Sequence, residues 1–311
     1  MSTAPRPVAA VPAFLTGLVD DAAIFPPGNA PLHAAVTAHR SHRDAPYAEL
    51  VGPFVVSDLR LADLLEVVAA DPASVGPLPL CVVVQGGAGA IEPAVRWATD
   101  SGAMELRSVE IALRGSDAGD LPHNARRVRT AVDQLVATGQ LGDEVAVYLE
   151  APRLFGAVPG HGWLSALDEI AAADHRLKLR TGGEDADAFP AAQELAWSIG
   201  AALERELPFK CTAGLHNALR HRDEQTGIDH HGFLNVLLAT RAILDGASLA
   251  EAVAILEQTD ADVVRRLVTS ASDGLAGARR WFTSFGSCSV LEPLEDLIGL
   301  DLLPDLTQEH P

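Results

Sequence analysis

The stretch 176-RLKLRTGGEDADAFPAAQELAWSIGAALERELPFKCTAGL-215 combines two short strand-like runs with an amphipathic helical segment between them. Apolar and polar side chains alternate at 176–181 and 208–213, whereas the apolar residues of 189–206 recur at helical spacing. A strand, a helix and a second strand in this order predict two parallel strands joined by a crossover helix. The stretch therefore predicts an α/β fold.

The same alternation of strand and helix extends over the rest of the chain. Further strands are predicted at 18–25, 51–56, 80–85, 107–113, 144–150 and 281–286, with helices at 59–70, 91–100, 124–139 and 163–174. Eight strands separated by helices are the pattern of a (β/α)8 TIM barrel, which normally forms one domain. A doubly wound open sheet fits the same order of elements, but no GxGxxG motif follows the first strand to support dinucleotide binding.

We expect the barrel to occupy residues 13–303, between an N-terminal tail at 1–12 and a C-terminal tail at 304–311.

One connection between predicted strands is much longer than the others. After the seventh strand, an insertion of about 215–278 contains a polar, histidine-rich loop and then two or three helices. A βα loop of this length usually shapes or covers a site rather than building the core.

Charge and cysteine content restrict the classes of partner. The net charge of −19 argues against nucleic acid and against anionic membrane surfaces. Three cysteines without CxxC spacing indicate a reducing compartment, and no run approaches the ~18 apolar residues of a membrane span. We therefore expect a cytoplasmic protein that binds a small molecule, with no nucleic-acid or membrane partner. Exposed apolar helix faces would allow a homo-oligomer.

The two lysines of the chain lie in its two most informative strands. Lys178 and Lys210 are its two lysines, whereas the chain has 21 arginines. Because side chains alternate across a strand, Lys178 and Arg180 are predicted to point into the barrel, as are Lys210 and Thr212. Arginine serves wherever only a positive charge is needed, so lysines retained against this bias indicate amine chemistry. A lysine crowded by a second cation can lose its proton and form a Schiff base with a carbonyl.

Two carboxylates are predicted in the same interior. The alternation of the fourth and fifth strands places Glu110 inside, together with Tyr148 and Glu150. The alternative to amine chemistry is therefore structural, with Lys178 and Lys210 held in buried ion pairs by these two glutamates.

Several of these motifs resemble the deoxyribose-phosphate aldolases, which are class I aldolases on a (β/α)8 barrel. In that family strand six carries a Schiff-base lysine in a K-x-x-T-G pattern, matched here by Lys178, Thr181 and Gly182. The family's second lysine, on strand seven, is matched by Lys210. The family's F-G-small-small-S-aliphatic-L motif after strand eight is matched by 285-FGSCSVL-291. Weaker similarity extends to 18-LVD-20, 109-VEIA-112 and Glu150.

The resemblance implies a carbon–carbon lyase that acts on a small anionic carbonyl compound, either phosphorylated or carboxylated, without a metal or other cofactor. Lys178 would form the Schiff base, Lys210 would lower the pKa of Lys178, and Glu110 would move protons. Residues 286–289 precede a predicted helix, whose N-terminus could hold an anion. The expected substrate contacts are Asp20, Glu150, Arg180, Thr181, Thr212, His216, His231, Gly286, Ser287 and Ser289.

A histidine-rich loop supports a different enzyme class. Four histidines fall within the insertion, and with a carboxylate from the barrel they could hold a divalent ion that polarises a carbonyl. The protein would then be a metal-dependent lyase or hydrolase. The residues concerned are His216, His221, His230 and His231, with Glu150 or Asp20.

A non-catalytic barrel that binds an anionic metabolite or a protein partner is the third alternative. Such a protein would use the cationic interior without amine chemistry, and arginine would serve it as well as lysine. Cys288 lies in the predicted anion loop, but no adjacent base is visible in the sequence, which favours a structural thiol. Asp20 and Asp21 cannot both face inward, and alternation does not choose between them.

Overall fold

The computed structural model describes residues 11–70, 76–115 and 120–306. Most of the tails predicted at 1–12 and 304–311 lies outside these residues. Eight parallel strands form a closed barrel, because the first strand pairs with the second on one side and with the last on the other. The barrel strands are β1 (Val19–Asp21), β2 (Val51–Ser57), β3 (Leu78–Val84), β4 (Met104–Ala112), β5 (Ala146–Glu150), β6 (Arg176–Arg180), β7 (Phe209–Thr212) and β10 (Phe282–Ser287).

The fold is therefore a (β/α)8 TIM barrel, as predicted, and the open-sheet alternative is wrong. All eight predicted strands are present. The first is shorter than its predicted range of 18–25, because the Asp21 side chain accepts a hydrogen bond from Ala23 N–H and the chain turns between Ala22 and Phe25. The helices are α1 (Leu32–Asp44), α2 (Leu61–Ala69), α3 (Ile91–Thr99), α4 (Asp120–Ala137), α5 (His161–Ala172), α6 (Ala192–Leu203), α7 (Phe233–Leu244), α8 (Leu249–Leu256), α9 (Ala261–Ala278) and α10 (Leu291–Gly299).

The apolar faces of the strands pack against the helices. Phe209 stacks on Phe282 with 5.5 Å between ring centroids, and Phe285 stacks on Phe233 of α7 at 4.9 Å. Leu177 is fully buried on the same side of the sheet. These contacts fix the opposite faces of β6 and β7 toward the barrel interior, as the alternation of their side chains requires.

The insertion between β7 and β10 contains three helices, and they build the outer layer of the barrel. Every residue of α7 from Phe233 to Thr240 is buried, and α8 packs on α6. The rest of this connection contains a hairpin of β8 (His221–Arg222) and β9 (Asp229–His230). The expectation that the whole insertion shapes a site is therefore too broad. Among the described helices, none has the length and apolar character needed to cross a membrane.

Candidate active site

Lys178 and Lys210 are direct neighbours in the interior of the barrel. Their Cα atoms are paired in the register of β6 and β7, and the two residues are 4% and 1% exposed. Each lysine lies between two buried apolar residues of its strand that face the helices, so the alternation of side chains points the amine into the barrel. Two ammonium groups this close and this deeply buried require compensating negative charge.

Glu110 of β4 supplies that charge to both lysines. Its Oε2 lies 2.5 Å from Lys178 Nζ and its Oε1 lies 2.6 Å from Lys210 Nζ. The Cys81 thiol of β3 donates a further hydrogen bond to Oε1 at 3.0 Å. Burial alone would raise the pKa of Glu110, but the two ammonium groups hold it well below its usual range. Glu110 is therefore a carboxylate shared between two cations.

Asp20 is the inward member of the Asp20–Asp21 pair. Its carboxylate forms an ion pair with Lys210 and accepts a hydrogen bond from Ser284 Oγ at 2.9 Å. The Asp21 carboxylate instead lies 3.0 Å from His39 Nδ1, on the helix side of β1. A side chain on Gly52 of β2 would collide with the Asp20 carboxylate, so the glycine provides the room that this carboxylate needs. Burial raises the pKa of Asp20 more than Lys210 lowers it.

Glu150 and Arg180 continue the charge cluster toward the C-terminal ends of the strands. Glu150 Oε2 lies 3.0 Å from Lys178 Nζ, and its Oε1 accepts a hydrogen bond from Arg180 Nε at 2.9 Å. The Arg180 side chain is 40% exposed, so it marks the mouth of the barrel. Burial would raise the pKa of Glu150, but Lys178 and Arg180 lower it below its ordinary value.

The protonation of Lys178 differs from the expectation. Lys210 was expected to lower the pKa of Lys178. Burial does act in that direction, but Glu110 and Glu150 outweigh it and raise the pKa of Lys178 above its ordinary value. The resting site therefore holds Lys178 as an ammonium ion, with two carboxylates positioned to accept its proton.

Thr181, which was expected to contact the substrate, is engaged by the neighbouring loop. It is fully buried, and its hydroxyl donates to the Ala213 carbonyl at 2.5 Å. Beside it, the backbones of the loops after β6 and β7 lie in contact at Gly182 and Gly214. The contact is so close that a Cβ on Gly182 would lie 2.8 Å from Gly214 Cα. The K-x-x-T-G motif thus fixes two neighbouring loops. Thr212, the last residue of β7, is half-buried beside Gly286 at the mouth.

The loop before α10 contacts His216. Ser287 is buried, with its hydroxyl 3.4 Å from His216 Nδ1, and Ser289 Oγ accepts a hydrogen bond from Glu292 N–H of α10. Cys288 Sγ lies 3.5 Å from His216 Nδ1. Cys288 therefore has an adjacent imidazole, although the sequence showed none, because the loops after β7 and β10 meet only in the folded barrel.

His231, which was expected to contact the substrate, is enclosed by protein between the hairpin connection and the loop before α6. It is fully buried, its Nε2 donates to the Pro190 carbonyl at 2.8 Å, and its Nδ1 lies 3.4 Å from an Arg220 nitrogen. Burial lowers the pKa of His231 to about 4, so the imidazole is neutral. The side chain holds the hairpin connection to the loop before α6.

The four histidines of the insertion do not converge on one point. The rings of His221 and His230 contact each other across the hairpin at a tilt, with 5.1 Å between centroids, while His216 and His231 occupy the two separate positions described above. Within 11–70, 76–115 and 120–306, no three His, Cys, Asp or Glu side chains are arranged to hold a metal ion. The ligand set proposed from the sequence, with Glu150 or Asp20, is therefore not assembled.

Three residues that contact the charge cluster were not identified as site residues from the sequence. Ser284 faces inward because the register of β10 shifts between Phe282 and Phe285, which breaks the alternation. Cys81 lies in a strand that is apolar throughout, so its pattern does not distinguish the two faces. Tyr148 was predicted to face inward but was given no role. Its ring lies 5.3 Å from Lys210 Nζ, and its hydroxyl lies 2.9 Å from Thr283 Oγ1.

No protein-family model matches the chain, and no curated protein matches it significantly.

Proposed function

We propose that this protein is a class I aldolase that forms a Schiff base with a small anionic carbonyl compound and makes or breaks a carbon–carbon bond next to it. The observation that carries the proposal is the pair of buried lysines in register on β6 and β7, joined by the Glu110 carboxylate. The resemblance to the deoxyribose-phosphate aldolases supports the same chemistry. The TIM-barrel fold is common among enzymes and is compatible with it.

Lys178 is the proposed nucleophile because its ion-pair partners lead toward the mouth. Glu150, its partner, is 13% exposed, and Arg180 follows it on the same face of β6, whereas Lys210 is paired with buried Asp20. A substrate that enters from the C-terminal ends of the strands meets Lys178 first. Lys210 then remains as the fixed cation that keeps Glu110 ionised.

Glu110 and Glu150 are the proposed proton carriers. Lys178 must lose a proton before its nitrogen can attack the carbonyl carbon, and both carboxylates lie within 3.0 Å of Nζ. The same groups can return protons to the carbonyl oxygen, which leaves as water when the imine forms. The protonated imine then accepts the electron pair of the adjacent carbon–carbon bond as that bond breaks.

Arg180 is the proposed contact for the anionic group of the substrate. Its Nε is bound to Glu150, and the side chain is sufficiently exposed for its remaining nitrogens to meet a ligand at the mouth. Guanidinium groups bind carboxylates and phosphates through paired hydrogen bonds. The substrate would thus extend from Lys178 toward Arg180, in a cytoplasmic setting where the cysteines stay reduced.

A non-catalytic barrel is the second candidate, and one observation favours it. Each ammonium group of the cluster already has carboxylate partners, and the pKa of Lys178 and that of Lys210 are both raised. Burial opposes both shifts, and the neighbouring carboxylates cause them. Such a balanced cluster could be purely structural, with Arg180 binding an anion at the mouth.

Reductive trapping separates the two candidates. The folded protein is incubated with a panel of small aldehydes and ketones and with borohydride, which reduces an imine to a stable amine. Peptide mass spectrometry should then find the added substrate mass on Lys178. Lys178→Arg keeps the charge but cannot form the imine, so trapping should disappear in that variant.

The control is Arg176→Lys, which places an amine on the same strand at the opposite end from the mouth. It should add no labelled position beyond Lys178. Labelling of Lys210 in place of Lys178 would exchange their roles. If no carbonyl labels either lysine in a folded sample, the aldolase proposal is wrong and the cluster is structural.

A further inference from the structure

A thiol, an imidazole and a carboxylate meet at the C-terminal end of β10, beside the lysine cluster. Cys288 Sγ lies 3.5 Å from His216 Nδ1 and 4.0 Å from Nε2. Glu292 Oε2 of α10 lies 3.2 Å from the same Nδ1. Cys288 is partly exposed, whereas Cys81 and Cys211 are fully buried. Among the three cysteines it is the one that a dissolved reagent can reach.

The sulfur of Cys288 lies beside a positively charged imidazole. Burial would lower the pKa of His216, but its hydrogen bonds with Cys288 and Glu292 raise it to about 9. His216 is therefore positively charged at neutral pH. A neighbouring imidazolium stabilises a thiolate relative to a thiol, and the thiolate is the reactive form of cysteine.

The same geometry argues against a hydrolase-type relay. In such a relay the nucleophile meets one ring nitrogen of histidine while the carboxylate binds the other. Here the closest approaches of Cys288 and of Glu292 are both to Nδ1. The imidazole therefore acts as a fixed cation next to the sulfur. It does not act as a general base that relays a proton from the sulfur to the carboxylate.

We propose that Cys288 is a site of reversible oxidation by hydroperoxides, activated by His216. The sulfur attacks one peroxide oxygen, a sulfur–oxygen bond forms and the oxygen–oxygen bond breaks. The departing oxygen takes the His216 proton and leaves as water when the oxidant is hydrogen peroxide. Sulfur is oxidised by two electrons to a sulfenic acid, and the peroxide is reduced.

A small thiol completes the cycle. It attacks the sulfenic sulfur and releases water, and a second thiol molecule then displaces Cys288 as a free thiol while the two small thiols leave as a disulfide. The site is distinct from the proposed Schiff-base chemistry and does not depend on it. Because Cys288 lies in the loop that borders the barrel mouth, its oxidation places a new polar group beside the entrance.

The test uses the whole chain at pH 7 with hydrogen peroxide and dimedone, which forms a stable adduct with sulfenic acids. Peptide mass spectrometry then measures the labelling rate of each cysteine. Cys288 should be labelled at least about tenfold faster than Cys81 and Cys211, which are internal controls on the same molecule. His216→Asn, which removes the cation, should slow the labelling of Cys288 by about tenfold.

A second variant protects the test against misfolding. Unfolding of His216→Asn would expose all three cysteines and would be visible as labelling of Cys81 and Cys211. Glu292→Gln then serves instead, because it keeps the imidazole while removing the carboxylate that holds it charged, and it should also slow the labelling. The proposal is overturned if Cys288 of the native protein stays unlabelled, or if it reacts equally fast without the imidazole and with it.

Discussion

Lys178 and Lys210 lie opposite one another on β6 and β7, and each places its ammonium group against a different oxygen of one carboxylate, that of Glu110. The pairing extends in both directions, so that positive and negative side chains alternate across the barrel. Every member neutralises its neighbours, which is how so many charges remain ionised in a buried space. The order of the chain is Asp20, Lys210, Glu110, Lys178, Glu150 and Arg180.

Glu110 should be essential for the stability of the barrel. Glu110→Gln removes the central negative charge and leaves two buried ammonium groups side by side. We expect the free energy of unfolding in urea to fall by about 3 kcal/mol or more. Glu105→Gln on the same strand is the matched control, because Glu105 pairs with Arg107 in an exposed position, and it should change stability by about 0.5 kcal/mol at most. Equal losses in both variants would contradict a central role for Glu110.

The contact between the loops after β6 and β7 should tolerate no side chain at Gly182. In Gly182→Ala the new Cβ would lie 2.8 Å from Gly214 Cα, so backbone has to move. We expect a loss of about 1–3 kcal/mol in the free energy of unfolding, measured by urea denaturation. Gly89→Ala is the control, since no atom lies within 4 Å of a Cβ at that position. Similar stability of the two variants would mean that the loops separate without cost.

The fold and the centre of the site were predictable because they depend on short-range patterns. Polar residues at alternate positions of apolar strands placed Lys178, Lys210 and Glu110 inside, and a closed barrel then brought them together. The remaining contacts depend on irregularities or on loops that meet in space. Ser284 faces inward through a register shift in β10, and His216 reaches Cys288 across 72 positions of the chain. Neither relationship leaves a periodic signal in the sequence.

His216 should make stability depend on pH above neutrality. Its pKa is raised from 6.5 to about 9, so the folded protein holds this proton more tightly than the unfolded chain does. The contribution of this proton to the free energy of unfolding is therefore fully present below pH 6.5, and it is lost as the pH rises toward 9. We expect the stability difference between the native protein and His216→Asn to shrink over this range, by about 3 kcal/mol at most.

Urea denaturation at pH 6, 7, 8 and 9 measures this difference, since the contributions of the other histidines cancel between the two proteins. His33→Asn is the control, because His33 is exposed, and its stability profile should run parallel to that of the native protein. A parallel profile for His216→Asn as well would show that the imidazole is not held as a cation.

Lys210 should control the reactivity of Lys178 through the carboxylate they share. In Lys210→Met, Glu110 keeps its charge but has only Lys178 to neutralise it, so the proton of Lys178 is held more tightly. We expect borohydride trapping of a carbonyl compound on Lys178 at pH 7 to slow by about tenfold or more. The pH that gives half of the maximal trapping rate should also move upward.

Lys210→Arg is the matched variant, because it keeps a cation beside Glu110 and Asp20 and should retain most of the trapping rate. Circular dichroism and urea denaturation establish that both variants are folded, which matters because Lys210→Met also leaves the Asp20 carboxylate with Ser284 as its remaining polar contact. If folded Lys210→Met traps carbonyl compounds as fast as the native protein, Lys210 has no influence on the amine. Its burial beside Lys178 would then serve the ion-pair network alone.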